Sequence, residues 1–127
     1  NRAYIGTCFN SRIEDLRIAA RIIKGRKLHS DVRLSITAGT LEVLKQAAHE
    51  GLLEIFAEAG CELPMPSCTM CGGFITPLVA GDVCIGTGTC NYPGRSGHHD
   101  AVIYLGNPAT VAASAIEGKI TDPRKYL

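Results

Sequence analysis

Three cysteines in this sequence occupy loop positions where thiols could bind a metal or exchange electrons. Cys68-Thr69-Met70-Cys71 is a C-x-x-C motif in a loop bracketed by proline and glycine, and Cys8 follows a strand-like segment near the start. This spacing lets two thiolates approach one metal ion or form a strained disulfide. The motif is therefore compatible with a thioredoxin-like redox pair, half of a zinc site, or part of an iron–sulfur site.

The surrounding sequence bears on each of these three sites. A redox pair normally opens a helix, and Gly72-Gly73 directly after the motif would weaken a helix start. A structural zinc ion needs four ligands, and the sequence offers no second C-x-x-C or H-x3-H pair. Three converging cysteines suit a 4Fe–4S cluster with one open iron, which can bind substrate as a Lewis acid. Buried free thiols remain the alternative, and they are the better interpretation of Cys61 and Cys84.

Composition and charge exclude several classes of protein. The chain has 127 residues, of which 46% are hydrophobic and 20% charged, and its mean hydropathy of +0.11 excludes a disordered chain. A net charge of +1 provides no global field for nucleic acid, and no apolar run approaches the roughly 20 residues that cross a bilayer. We expect neither a nucleic acid nor a membrane as partner. The six cysteines, with no secretory signal visible, favour a reducing compartment.

Alternating strands and helices must position these cysteines. Ser11 with Glu14, Thr40 and Asn107 are predicted to begin three of the helices. The predicted strands are 3–6, 32–36, 61–63, 82–86 and 101–105, and the predicted helices are 12–24, 41–49, 52–59 and 109–116. This order predicts a three-layer α/β/α fold with a mostly parallel sheet, as one domain over residues 1–127. The strand-like start without an initiating Met favours a piece of a longer chain or a processed product.

In open parallel sheets, ligands bind beyond the carboxyl ends of the strands. Cys8, the C-x-x-C motif and residues 89–95 all follow predicted strands, so the chemistry is expected at that edge of the sheet.

Four segments resemble the third domain of the aconitase superfamily, in particular that of 3-isopropylmalate dehydratase large subunits. They are G-T-C-F-N-S-R-I-E-D-L at 6–16, L-P-M-P-S-C-T-M-C at 63–71, N-Y-P-G-R at 91–95 and D-P-R at 122–124. The family pattern runs G-[ST]-C-T-N-x-R-x-E-D-[LM], then G-C-x-x-C, then N-R-N-F-x-G-R. The resemblance covers essentially the whole chain in the right order.

The resemblance implies a site for a 4Fe–4S cluster and a carboxylate substrate. It implies that Cys8, Cys68 and Cys71 are the cluster ligands and that Asn10 lies beside the cluster. Arg95 would clamp a substrate carboxylate, for which its planar fork is well suited. The implied substrate-binding residues are Arg95, Asn10 and Asn91.

The implied activity is a cytoplasmic hydro-lyase of leucine biosynthesis. It would reversibly dehydrate a hydroxy di- or tricarboxylic acid such as 3-isopropylmalate. The acid and base residues would lie outside this chain, in the remaining large-subunit domains and in a small subunit that carries a swivelling domain. The chain alone would therefore be inactive. The alternative is a stand-alone cluster- or metal-binding module without catalytic activity.

The sequence departs from the family pattern at three places. Phe9 replaces Thr and Ser67 replaces Gly, and both changes are tolerable. Thr89-Cys90 stands where the family has Asn-Arg, so an arginine expected near the substrate is absent. This difference predicts either a variant substrate, such as a smaller or methylated malate, or a paralogue with altered chemistry. Cys90 itself is either an extra soft ligand or, more simply, a neutral space-filler.

Two clusters of polar residues have a plainer interpretation. His98-His99-Asp100 could supply a local base, but a solvated loop is the better explanation. Lys24-Gly25-Arg26-Lys27 could contact phosphate or RNA, but basic residues at a helix end are usually solvated and favoured by the helix dipole.

Overall fold

Four strands, four α-helices and one short 3-10 helix make up the part of the chain that the computed structural model describes, residues 1–6, 11–66 and 77–127. In chain order they are β1 (Arg2–Ile5), α1 (Ile13–Ile23), β2 (Arg33–Ile36), α2 (Leu41–His49), α3 (Leu52–Ala59), β3 (Val83–Gly86), β4 (Val102–Leu105), α4 (Pro108–Glu117) and the 3-10 helix Pro123–Tyr126. No helix within these ranges has the length and apolar character needed to cross a membrane.

The four strands run parallel in one sheet with the order β2-β1-β3-β4. β1 is an inner strand, and its Tyr4 is paired with Ser35 of β2 on one side and Gly86 of β3 on the other. The carboxyl ends of these three strands therefore meet at one border of the sheet, which we call the carboxyl edge. The predicted α/β fold, a parallel sheet flanked by helices, is confirmed.

The strand predicted at residues 61–63 is reduced to a single bridging residue. Glu62 pairs with β2 through two backbone hydrogen bonds, from Ile36 N to Glu62 O at 2.9 Å and from Glu62 N to Leu34 O at 2.8 Å. Pro64 follows two residues later and has no N–H to donate, so the ladder does not continue.

Side-chain caps begin two helices as predicted. The Thr40 hydroxyl accepts a hydrogen bond from Val43 N at 3.1 Å at the start of α2. The Asn107 carbonyl oxygen accepts one from Thr110 N at 2.8 Å at the start of α4. Each bond satisfies a backbone donor that the first helical turn leaves without a partner.

The predicted Ser11–Glu14 capping box is wrong by one residue. α1 begins at Ile13 with Arg12 as its N-cap, and Arg12 N donates to the Asp15 carboxylate at 3.2 Å. Ser11 is only 2% exposed, and its carbonyl oxygen accepts a hydrogen bond from Gly39 N at 3.0 Å. Ser11 is thus held at the sheet, which moves the cap to the next residue.

The alternation of strand side chains divides the core into two clusters. On one face, Ala3 and Ile5 of β1 join buried residues of all four helices in the larger cluster. On the other face, Tyr4 lies in a smaller cluster with Leu78, Cys84, Ala101 and Ile103. The second cluster includes Leu78 and Ala101, which lie in segments 77–82 and 96–101, before β3 and after the loop that carries Arg95.

Candidate active site at the carboxyl edge

Four of the predicted site residues lie outside the described part of the chain. These are Asn10 and the three predicted cluster ligands Cys8, Cys68 and Cys71, which fall in segments 7–10 and 67–76. On one side of the first segment, Gly6 directly follows β1, and its N–H donates to the Thr87 hydroxyl at 3.0 Å. Ser11 is bound to Gly39 on the other side of the segment, so both of its ends lie at the carboxyl edge.

Three buried hydroxyl groups, those of Ser11, Thr37 and Thr87, line the carboxyl edge; we call them the hydroxyl rim. They are 2%, 3% and 1% exposed, respectively. Two of them continue the sheet pairing past the strand ends, with Thr37 N donating to Ile5 O at 2.9 Å and Thr87 N to Tyr4 O at 3.3 Å. Of the three, the Thr87 hydroxyl accepts the hydrogen bond from Gly6 N, and the Ser11 hydroxyl has no hydrogen-bond partner among the described residues.

Tyr4 places a fourth hydroxyl at the same edge. Its ring is 1% exposed and lies against β3, where a Cβ added to Gly86 would be 2.1 Å from Tyr4 Cε1. A Cβ added to Gly88 would be 2.2 Å from the phenol oxygen, so the oxygen lies just past the end of β3. Burial raises the pKa of Tyr4 to about 12, so the group remains a neutral O–H donor.

Tyr4 is not part of any motif that points to a functional site. In the sequence it is one apolar residue of a short strand, and its ring rests on glycines more than 80 residues away in the chain. The G-x-G pattern at 86–88 was the available signal, because paired glycines after a strand often mark a close approach by another group.

Arg95 lies on a turn that follows this edge. The side chain is half-buried, and Arg95 N donates to Tyr92 O at 3.1 Å. Residues 96–98, which follow Arg95, are hydrogen-bonded to Leu78. Leu78 N donates to Ser96 O at 2.9 Å, and His98 N donates to Leu78 O at 2.8 Å. Arg95 is close enough to Tyr4 for its positive charge to act on the pKa of the phenol, lowering it against the effect of burial. The turn that carries Arg95 is thus held in place by backbone hydrogen bonds to Leu78.

Asn91 anchors the same loop. Its side-chain amide donates to Ile103 O of β4 at 3.2 Å, which ties residues 87–95 to the outer strand. Cys90 precedes it, is exposed, and receives a hydrogen bond from the Thr89 hydroxyl at an oxygen–sulfur distance of 3.7 Å. The predicted substrate contact of Asn91 and the two alternatives for Cys90 stay predictions.

Two further cysteines are poorly suited to bind metal. Cys84 is 1% exposed and Cys61 is half-buried, and burial raises the pKa of each thiol to about 12. The thiolate is the form that binds metal, so both groups are held in the non-binding form. This agrees with their interpretation as buried free thiols.

His98, His99 and Asp100 form an exposed turn. The two imidazole rings stack with centroids 4.5 Å apart, and His98 Nδ1 accepts a hydrogen bond from Asp100 N at 3.0 Å. All three side chains are open to solvent. Their exposure agrees with the interpretation of this turn as a solvated loop.

Comparison with known proteins identifies the family. Residues 1–118 match the Aconitase family (aconitate hydratase). The chain belongs to the aconitase family. It is 45% identical over 128 aligned positions to the 3-isopropylmalate dehydratase large subunit 1 of Methanopyrus kandleri, a match that covers all of this chain and 31% of the relative. It is 48% identical to the 3-isopropylmalate dehydratase large subunits of Wolinella succinogenes, covering 98% of this chain, and Halothermothrix orenii, covering all of it. This aconitase-family chain spans about three tenths of the length of these relatives.

The carboxyl edge of this aconitase-family domain can be tested for its fit to an iron–sulfur cluster. The buried oxygens of Ser11 and Tyr4 have no hydrogen-bond partner among the described residues, although every such group in a folded chain is expected to find one. Hydroxyl donors beside a thiolate-bound cluster would have sulfur acceptors. Segment 7–10, which carries Cys8, begins and ends among these hydroxyls. The residues present therefore fit such a group.

Proposed function

We propose that this chain is the cluster-bearing part of a hydro-lyase large subunit, which reversibly dehydrates a hydroxy di- or tricarboxylic acid such as 3-isopropylmalate. The observation that carries the proposal is the match of essentially the whole chain to large subunits of 3-isopropylmalate dehydratase. The buried hydroxyls at the carboxyl edge support it, because Ser11 directly follows, and Gly6 bound to Thr87 directly precedes, the segment that carries the first predicted ligand. Because the relatives are 3-isopropylmalate dehydratases, we propose that the enzyme acts in leucine biosynthesis in the cytoplasm.

Cys8, Cys68 and Cys71 would hold a 4Fe–4S cluster at this edge. When bound, a cluster with one iron free of protein ligands supplies a Lewis acid for the substrate hydroxyl and carboxylate. The cysteines would lie in segments 7–10 and 67–76. The hydrogen bond from Gly6 N to the Thr87 hydroxyl fixes the residue that precedes the first of these segments to the loop after β3.

Arg95 would bind and orient the substrate. Its guanidinium offers several donors in one plane, which matches a carboxylate in a two-point contact. The hydrogen bonds that hold Leu78 to the turn keep the backbone of Arg95 in place, so the carboxylate would be held in one orientation. Asn91 keeps the loop against β4 and would limit movement of the substrate in that direction.

Other parts of the enzyme would complete the site. Within the described residues, the one group of three His, Cys, Asp or Glu side chains close enough to share a metal ion is His98, His99 and Asp100, and all three lie in solvent. The acid and base of the reaction would therefore come from the rest of a large subunit and from a small subunit. Cys90 stands where the family pattern has Arg. The substrate would therefore carry a different polar group at the position that this arginine contacts.

Anaerobic reconstitution of the 127-residue chain with iron and sulfide tests the proposal. Iron and sulfide are counted, and EPR spectra are taken of the oxidised and reduced protein. We expect a cluster with one labile iron in the wild-type chain. Cys8→Ser, Cys68→Ser and Cys71→Ser are each expected to abolish its retention.

The matched controls are Cys61→Ser and Cys84→Ser, which remove thiols that the structure buries. Both variants should keep the cluster. Equal loss of iron in all five variants would contradict the ligand assignment. Stable zinc in place of iron would instead favour the metal-binding module without activity.

A further inference from the structure

His98, His99 and Asp100 form the turn that precedes β4. The turn is held at both ends by backbone hydrogen bonds, from His98 N to Leu78 O at 2.8 Å and from Ala101 N to His98 O at 3.1 Å. Ala101 is buried in the smaller core cluster, and β4 begins at the next residue. The backbone of the turn is therefore fixed by contacts with the rest of the fold.

The three side chains of this turn bring their donor atoms close together. His99 Nε2 is 3.4 Å from Asp100 Oδ1, and His98 Nδ1 is 3.8 Å from Asp100 Oδ2. One donor atom from each side chain lies within 4.8 Å of the other two. Neighbouring ligands of a tetrahedral ion with bonds of about 2.0–2.1 Å are about 3.3–3.4 Å apart, so these separations need to change little for one ion to bind all three.

The two imidazole rings are free to turn toward a common ion. His98 Nδ1 accepts a hydrogen bond from Asp100 N at 3.0 Å, and a ring nitrogen that accepts a hydrogen bond carries the lone pair that a metal ion binds. The rings are stacked with planes 20° apart, so both must rotate for their lone pairs to meet. The side chains of His98, His99 and Asp100 are 43%, 74% and 64% exposed, so this rotation requires no repacking of the core.

A second turn of the chain repeats this geometry without the middle imidazole. In His29-Ser30-Asp31, His29 Nδ1 accepts a hydrogen bond from Asp31 N at 3.2 Å and lies 4.0 Å from Asp31 Oδ2. The corresponding distances at His98 are 3.0 Å and 3.8 Å. The contact of the first and third side chains is thus a property of the turn. The third donor, His99, is what makes the turn before β4 a candidate metal site.

We propose that His98, His99 and Asp100 bind one divalent transition-metal ion, with zinc as the ion that their donor atoms and spacing fit. Two imidazoles and one carboxylate form a ligand set that zinc takes in open sites, where water occupies the fourth position. Calcium and magnesium prefer oxygen ligands, so the two imidazoles select against them. The ion would hold the turn in one conformation. The proposal goes beyond the proposed function, because it uses none of the predicted cluster ligands.

The test is a titration with zinc chloride, followed at the ring nitrogens of the four histidines by NMR after labelling with 15N-histidine. The signals are assigned by their loss in single histidine-to-serine variants. Zinc also binds thiolates. The wild-type chain is therefore titrated beyond the amount that its thiols bind, and the titration is repeated on a triple-serine chain with Cys8→Ser, Cys68→Ser and Cys71→Ser. Magnesium chloride at equal concentration is the control for a non-specific effect of a divalent cation.

We expect the signals of His98 and His99 to shift together and to saturate with one equivalent of zinc in the triple-serine chain. The signals of His29 and His49 should stay unchanged over the same range, and magnesium should shift none of the four. His99→Ser gives the turn the residue types of His29-Ser30-Asp31. It should weaken zinc binding at His98 by about 100-fold or more, because losing only an outer partner of a ligand already costs about 10–100-fold in affinity.

Three results would overturn the proposal. The first is that the signals of His98 and His99 do not respond to excess zinc. The second is that all four histidines respond alike, which would mean binding by single imidazoles. The third is an unchanged affinity in His99→Ser. If the triple-serine chain does not fold, the wild-type titration decides, because each histidine is observed separately from the thiols.

These results are separable from the proposed function. A chain that assembles a cluster but whose histidines do not respond to zinc removes this inference and leaves the hydro-lyase. A chain that assembles no cluster but binds zinc through His98 and His99 keeps the metal site in the turn and removes the support for the hydro-lyase.

Discussion

Gly88→Ala is expected to destabilise the chain because of a single atom, the Tyr4 phenol oxygen. The new Cβ would be 2.2 Å from that oxygen and 3.4 Å from the adjacent ring carbon Cζ. The first distance is far inside contact, whereas the second is close to ordinary van der Waals contact. Gly88 is not among the glycines with positive φ, so alanine adds no backbone strain. The clash should therefore disappear when the oxygen is removed.

The expected energies follow from these distances. Overpacking of this kind destabilises by about 1–3 kcal/mol, so Gly88→Ala should lower the free energy of unfolding by about 2 kcal/mol. In the Tyr4→Phe background the same substitution should be neutral or stabilise by up to about 1 kcal/mol, because alanine restricts the unfolded chain. The coupling between the two sites should thus be about 2 kcal/mol, within the range measured for residues in contact.

Urea unfolding of the wild-type chain, the two single variants and the double variant measures this coupling. Gly86→Ala is the matched control, since its Cβ would be 2.1 Å, 2.3 Å and 2.6 Å from three ring carbons. Those carbons remain in phenylalanine, so Tyr4→Phe should not rescue Gly86→Ala. Additive effects of Gly88→Ala and Tyr4→Phe, or equal rescue of both glycine variants, would refute the placement of the phenol.

Three further predictions concern other parts of the fold. Asn107→Ala removes the cap of α4 and should destabilise by about 1 kcal/mol in urea unfolding, with Asn107→Asp as the control that keeps an acceptor. Gly97→Ala should destabilise by about 2 kcal/mol or more, because φ is +146° and the Cβ would be 2.3 Å from Leu78 O; a smaller effect than that of an exposed glycine such as Gly25 would contradict it. Burial raises the pKa of Cys84 from 9.0 to about 12, so the unfolded state loses its proton first and stability falls as pH rises from 9 to 12. Cys84→Ala should make this fall shallower in denaturation measured across that range, and an unchanged slope would speak against the burial of the thiol.

Short sequence patterns correctly predicted the features that depend on contacts between residues close in the chain, such as helix caps. Asn107 caps α4 as expected, because the cap and its acceptor are three residues apart in the sequence. Ser11 was misplaced by one residue, because its environment is set by Gly39 on another part of the chain. The strand at 61–63 failed for a related reason, since only Glu62 meets β2 before Pro64 ends the pairing. The alternation of strands and helices was enough to predict the parallel sheet.

The sequence motifs predicted some residues of the candidate site but not others. Arg95 came from the N-Y-P-G-R motif, and the structure places it half-buried on a turn closed by the hydrogen bond from Arg95 N to Tyr92 O; its role in substrate binding stays a prediction. Tyr4 could not be found in this way, because burial in a strand is the ordinary state of an aromatic residue. Its position at the site depends on the pairing of β1 with β3, a contact between segments that are 82 residues apart, as from Arg2 to Cys84. The register of β1 against β3 is what shows that the Tyr4 ring lies on Gly86 and Gly88.

The placement of Arg95 is determined by the turn that follows it more than by the strand that precedes it. β3 ends at Gly86, and the nine residues from there to Arg95 are tied to the sheet by Asn91. Leu78 forms hydrogen bonds to both Ser96 and His98, on either side of Gly97, whose lack of a side chain lets the two backbones touch. Leu78 also packs with Tyr4 in the smaller core cluster, so a variant that displaces Leu78 should alter both the placement of Arg95 and the packing around Tyr4. In Gly97→Ala we therefore expect a changed NMR signal of 13Cζ-labelled Tyr4 together with weaker binding of a tricarboxylate such as tricarballylate, and an unchanged affinity would contradict the support of Arg95 by this turn.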